Sequence, residues 1–300
     1  MPETRAGCVI VAGRPNVGKS TLFNRLLGTR LSIATSKPHT TRYCIRGVVD
    51  ADDSQLVLID TPGWGPRGRG RLSRHLSRVA AGGVPYADAG LLLVEAGGLR
   101  PADREVLALL PEELPVVAGI NKADLAKSTD SLLPLAAELR EWRPLRAIVP
   151  LSARTGKGCD ALAVELRALL PQQEKMYPAG QRSDRKDAFF IADFIREQVL
   201  RRLDAEVPHA VGIEVRALER PEGKKLTRIM ADIIVDTPSR QAMVVGKGGR
   251  MLRSIGTGAR RAIEDYLGTK VYLDLRVTLR RRWDEEPAQL ARLGIEGGIV

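Results

Sequence analysis

The sequence predicts an α/β domain on a doubly wound, mostly parallel sheet, followed by a smaller α+β domain. Three observations predict it. Short apolar strands alternate with helically spaced segments over residues 1–170. The composition turns Pro-, Gly- and polar-rich over 171–186, which reads as a linker. Residues 187–300 then run helix, two strands, a Gly-Lys-Gly-Gly loop, a helix and a last strand. The chain has 300 residues, enough for about two domains, and is 44% hydrophobic, enough for real cores.

The first domain reads in order. Gly7 to Ala12 is a buried strand, and Thr21 to Leu27 a helix with Leu22, Leu26 and Leu27 on one face. Val48–Val49 and Leu56 to Ile59 are strands joined by the polar turn Asp50 to Ser54. Gly90 to Val94, Val116 to Ile120 and Ala147 to Leu151 are further strands, near-continuously apolar as buried parallel strands are. Arg100 to Leu110, Ser131 to Trp142 and Cys159 to Leu170 carry helical spacing. In the second domain, Asp187 to Leu203 reads as a helix, and Val211 to Glu219 and Leu226 to Val235 as strands. Ser239 to Val245 is a short connecting segment ahead of the glycines, a helix runs on to Leu267, and Gly268 ends it. Val271 to Leu279 alternates as the last strand.

Several classes are excluded at once. No apolar run approaches the ~18 residues of a membrane span. The N-terminus has no apolar signal region and carries Glu3. Cys8, Cys44 and Cys159 are odd in number and widely spaced, so they read as free thiols of a reducing cytoplasm rather than a disulfide or zinc framework. The net charge is +11, and it concentrates: Arg240 to Arg282 holds eleven basic residues against Glu264, Asp265 and Asp274. That window suits a polyanion.

Gly13, Arg14, Pro15, Asn16, Val17, Gly18, Lys19 and Ser20 form a G-x-x-x-x-G-K-S phosphate loop between a strand and a helix, with Thr21 following. Backbone N–H groups of such a loop cradle phosphate, Lys19 reaches the β and γ oxygens, and the Ser20 hydroxyl binds Mg²⁺. Asp60, Thr61, Pro62 and Gly63 follow a strand; Asp60 suits Mg²⁺ and the Gly63 N–H suits a γ-phosphate. Asn121, Lys122 and Asp124 of Asn-Lys-Ala-Asp follow the next, where the Asp124 carboxylate accepts both N1–H and N2–H₂ of guanine. Ser152 and Ala153 follow the last, with backbone placed for guanine O6. Four such pieces, each at the carboxyl end of a strand, point to GTP and GDP; adenine cannot make the Asp124 contact. Lys37 to Arg42 occupies the first switch segment, where Thr40 or Thr41 is offered to Mg²⁺ and the γ-phosphate. Trp64 stands where Ras-like GTPases carry a water-positioning glutamine, so slow intrinsic hydrolysis is expected. Asn16 is a candidate ligand for a monovalent cation such as K⁺.

In the second domain, Gly246, Lys247, Gly248 and Gly249 open a helix as the GxxG loop of a KH domain does, clamping the backbone of about four single-stranded nucleotides. Arg250, Arg253, Arg280, Arg281, Arg282 and Trp283 join them as candidate RNA contacts. With Gly13 to Gly28, Lys37 to Arg42, the Asp-Thr-Pro-Gly and Asn-Lys-Ala-Asp motifs, Leu151 to Ala153, Val244 to Gly256 and the tail Trp283 to Gly294 on the page, the whole chain resembles the Era family of bacterial GTPases. The resemblance implies a GTPase domain followed by a type II KH domain. It implies slow Mg²⁺-dependent GTP hydrolysis, binding of single-stranded rRNA near the 3′ end of 16S rRNA, and a role in small ribosomal subunit maturation. A cytoplasmic monomer is expected, with peripheral contact at the inner face of the membrane left open. His39 departs from the glutamine often found there. The expected mechanism is a switch: GTP orders both switch segments, which changes how the KH domain packs and exposes its RNA groove. The alternative is an RNA-binding assembly factor in which nucleotide is mainly structural.

Overall fold

The structure is a computed structural model that describes residues 4–33, 44–62, 82–203, 211–221, 223, 225–281 and 283. The chain divides into two compact units between Asp184 and Arg185.

In the first unit, six strands form one sheet: β1 (Arg5–Ala12), β2 (Ile45–Asp50), β3 (Ser54–Asp60), β4 (Ala89–Glu95), β5 (Val116–Asn121) and β6 (Ala147–Pro150). Their spatial order is β2-β3-β1-β4-β5-β6. All neighbours are parallel except β2, which returns antiparallel to β3 through a short turn. The helices are α1 (Lys19–Leu27), α2 (Pro101–Ala108), α3 (Leu133–Trp142) and α4 (Cys159–Ala168). The strands are apolar throughout because both sheet faces are covered; Ile10, Leu92, Val94, Val106, Ile120 and Leu139 share one core. The chain leaves β1 toward β3 on one side and returns to β4 on the other. That reversal opens a crevice at the carboxyl ends of the strands.

Residues 171–184 belong to this unit. Their backbone bridges Gln172 to Arg5 and Ser183 to Gly47. Gln55 exchanges two hydrogen bonds with the backbone of Tyr177, both 2.9 Å. Lys175 pairs with Asp50 at 2.9 Å. Most of these residues are exposed, in keeping with their polar composition, yet their backbone is tied to β1 and β2.

The second unit is helix–strand–strand–helix–helix–strand: α5 (Asp187–Arg202), β7 (Gly212–Glu219), β8 (Leu226–Val235), α6 (Pro238–Val245), α7 (Arg250–Leu267) and β9 (Lys270–Leu279). β8 lies between antiparallel β7 and parallel β9. The short segment expected before the glycines is a helix. Thr237 caps it by accepting from Arg240 N–H, and Pro238 sits at its first turn, where its missing N–H costs nothing. Phe190 and Phe194 of α5 meet Tyr266 of α7 at 5.6 and 5.4 Å between ring centroids. At Gly258 the two helices come close: a Cβ there would meet the side-chain ends of Gln198 and Arg202, at 2.2 and 2.7 Å.

Candidate nucleotide and RNA sites

The phosphate loop leaves the buried end of β1 and enters α1. Asn16 sits at φ 65°, a left-handed backbone that Asn tolerates better than most residues. Gly18 has φ 103°, and a Cβ on it would stand 2.3 Å from Asn121 Nδ2. Lys19 is buried; its ammonium donates to the carbonyls of Gly13 and Arg14, both at 2.9 Å. Burial lowers its pKa to about 8, partly countered by Asp60 and reinforced by Arg14. Ser20 Oγ donates to Asp60 Oδ2 at 2.9 Å, and Ser32 Oγ donates to the same oxygen at 2.7 Å. Thr61 Oγ1 donates back to the Val11 carbonyl, fixing the Asp60 loop beside the phosphate loop. Hydroxyl and carboxylate oxygens therefore converge where a hard divalent cation needs oxygen donors.

Asn121, at the end of β5, joins three loops. Its Nδ2 donates to the Val17 carbonyl at 2.7 Å, and its Oδ1 accepts from Ala153 N–H at 2.9 Å. Asp124 stands at the mouth of the crevice, with Arg154 donating to its carboxylate at 2.6 Å. Hydrogen bonds from Ser152 and then Arg154 hold that carboxyl below the usual carboxylate range. Arg25 of α1 donates to the carbonyls of Ala153 and Arg154. Every described nucleotide-motif residue thus lies at the carboxyl ends of the strands of one sheet.

In the second unit, α6 ends at Gly246 (φ 69°), and Gly248 and Gly249 also take left-handed backbone, at φ 62° and 74°. A Cβ on Gly246 would stand 2.7 Å from Met251 Cβ. Lys247, Gly248, Arg250 and Arg253 are exposed on this loop and the first turns of α7. Beside them, between α7 and β9, lies a cleft of about 450 Å³ lined by Leu252, Arg253, Gly256, Tyr272 and Leu275 among others. Charge at the loop, and a cleft beside it that mixes Leu and Tyr side chains with Arg253, Arg260 and Asp274, suit a nucleic-acid backbone and its bases.

The comparisons with known proteins agree with this geometry. Residues 8–122 match a family described as 50S ribosome-binding GTPase, and residues 206–284 match the KH domain. GTPase Era of Xanthomonas oryzae pv. oryzae is 39% identical over 97% of both chains. The chain belongs to the Era family of GTPases. GTPase Era of Stenotrophomonas maltophilia is 38% identical over 97% of each chain. A variant of Aquifex aeolicus Era bound to GDP and AlF₄⁻ superposes with a TM-score of 0.90 at 32% identity, covering 97% of this chain and 99% of that one. An Era complex with MgGDPNP and nucleotides 1506–1542 of 16S rRNA superposes with a TM-score of 0.89, also at 32% identity, covering 97% and 99%. The family is that of a P-loop GTPase domain with a C-terminal KH domain, and the Era-family chain is a GTPase.

Two of the candidate RNA residues are placed otherwise than their charge and ring suggested. Arg280 pairs with Glu214 of β7 at 2.7 Å, because its backbone continues the β9 ladder onto Val235 and its side chain lies beside that carboxylate. Trp283 is 4% exposed, so its ring is covered by protein and offers no face for a base. Arg281 is exposed. Thr40, Thr41, Gly63, Trp64, His39 and Arg282 lie outside the described residues. Sequence reasoning missed Asn24, Arg25 and Ser32, which fix the loops, and Leu252 and Tyr272, which line the cleft. Tyr272 carried a faint signal: an aromatic at an outward position of an otherwise alternating strand.

Proposed function

We propose that this Era-family chain binds GTP and GDP with Mg²⁺, hydrolyses GTP slowly, and binds single-stranded rRNA at the 3′ end of 16S rRNA during small-subunit biogenesis. The observation that carries it is the convergence of four nucleotide loops at the carboxyl ends of one sheet's strands, in a chain that also presents a glycine loop beside a cleft of mixed apolar and charged lining. The related Era structure holding both a GTP analogue and that rRNA segment supports reading the two sites as one machine.

On this reading each group has a role. Loop N–H groups and Lys19 hold the β- and γ-phosphates. Ser20 and Asp60 would hold Mg²⁺, which would supply positive charge beside those phosphates. Asp124 takes guanine N1–H and N2–H₂, while Asn121 accepts the Ala153 N–H and so holds that loop beside the base. Lys247, Arg250 and Arg253 meet RNA phosphates, and the cleft takes bases. We extend the reading to K⁺ at Asn16 and to nucleotide-dependent RNA affinity.

The test is GTP hydrolysis in K⁺ buffer, with and without a short RNA copying the 3′ end of 16S rRNA. Stimulation of the wild type but not of Gly248→Asp is expected. RNA binding without stimulation, and with equal affinity in GDP and a non-hydrolysable GTP analogue, would overturn the switch and favour a structural nucleotide.

A further inference from the structure

Beneath the nucleotide site runs an ionic chain that joins two of its motifs through Asp103 and Glu95, which belong to neither. Arg14 of the phosphate loop is buried, and its Nε donates to Asp103 Oδ1 at 2.6 Å. Asp103 is fully buried on α2, and its other oxygen accepts from Arg100 N–H at 2.9 Å, capping its own helix. The Arg14 guanidinium also faces Glu95, at the end of β4, at 3.8 Å. Glu95 in turn pairs with Lys122 of the guanine motif. The Arg14 carbonyl is one of the two acceptors that hold the Lys19 ammonium.

We propose that Asp103 and Glu95 are positioning residues for the nucleotide, Asp103 locking the phosphate loop through Arg14 and Glu95 tying that loop to the base-binding loop through Lys122. The proposal rests on the nucleotide reading above. Its physical basis is that a buried guanidinium is costly to separate from its carboxylate, so the 2.6 Å pair with Asp103 limits where Arg14 can sit. The loop carbonyl that aims Lys19 is thereby fixed before any phosphate arrives. Preorganisation of this kind is felt in binding and release, since it lowers what the loop must order when nucleotide enters. Because Glu95 touches both loops, disturbing either end is felt at the other.

The experiment uses the full chain with Mg²⁺ and a fluorescent GDP, measuring affinity and release, with kcat and KM for GTP alongside. Asp103→Asn preserves size and the helix cap. It is expected to weaken GDP and raise KM by about tenfold while kcat stays within about twofold. Arg14→Gln is expected to match it, and the double variant to be no worse than either single. A melting curve in EDTA without nucleotide separates lost folding from lost positioning. Glu95→Gln, at a less buried position, serves if Asp103→Asn fails to fold; it is expected to speed GDP release by about threefold or more. Unchanged release in folded Asp103→Asn and Glu95→Gln, or additive losses in the double variant, would overturn the proposal. Failure of the wild type to bind GDP would instead overturn the nucleotide reading itself.

Discussion

Raising the pH should weaken nucleotide binding through Lys19 while making the nucleotide-free protein more stable. Burial lowers the Lys19 pKa from 10.5 to about 8 in the unliganded site. Phosphate oxygens beside the ammonium restore the charged form, so the bound state keeps its proton well above pH 8. The free site is about 90% protonated at pH 7 and about 10% protonated at pH 9. The GDP dissociation constant should therefore rise about tenfold between them, or about 1.4 kcal/mol. Folding linkage has the opposite sign. Between about pH 8 and 10.5 the unfolded chain holds a Lys19 proton that the folded one has lost, so stability from this group rises with pH. The ceiling is about 3 kcal/mol for a shift of this size. Guanine N1 also loses its proton in alkali, so the assay is fluorescent GDP titration from pH 7 to 9 for wild type and Lys19→Met, with Mg²⁺ saturating. The variant should bind weakly throughout and lack the Lys19-dependent slope. Equal slopes in both proteins would refute the reasoning.

Three further outcomes are expected. Asp124→Asn should cost at least about a hundredfold in GDP affinity, because two charge-assisted hydrogen bonds of about 1.5–3 kcal/mol each are lost; it should gain affinity for xanthosine diphosphate, whose C2 carbonyl the amide can meet, by competition titration. Gly18→Ala should lose about ten- to a hundredfold in GDP affinity in the same titration, since its Cβ would stand 2.3 Å from Asn121 Nδ2 and cost bonds of about 1 kcal/mol each. GTP hydrolysis should run faster in K⁺ than in Na⁺ at equal ionic strength, and equal rates would remove Asn16 as a cation ligand.

Legibility followed chemistry that is local in the chain. A phosphate loop needs its glycines, lysine and serine contiguous, at a strand's end, and the fold class follows from apolar strands covered on both faces. Helix α6 was illegible because eight residues carry two turns of periodicity, and its cap is a single threonine. Pro, Gly and polar residues make 171–186 read as a linker, yet its backbone finds partners at the start of β1 and on the edge strand β2, pairing that no composition announces. Arg280 and Trp283 show the converse. A run of basic residues ending in an aromatic reads as a contact surface, but which way each side chain faces depends on where the last strand stops.

The supporting contacts of the nucleotide site were invisible for a more general reason. Arg14 and Asp103 are 89 residues apart, and Arg25 and Ala153 are 128 apart. The types are ordinary: an arginine and a helix-first-turn aspartate each have a sufficient local explanation. Asp103 satisfies that local role completely by capping Arg100, and only the fold shows that its second oxygen meets the phosphate loop. Residues that touch a ligand are constrained by the ligand's chemistry and so recur as motifs. Residues that hold them are constrained only by geometry, and many types at many separations can supply it. Asp103 and Glu95 are of this second kind: through Arg14 and Lys122 they join the phosphate loop to the Asn-Lys-Ala-Asp loop without belonging to either motif.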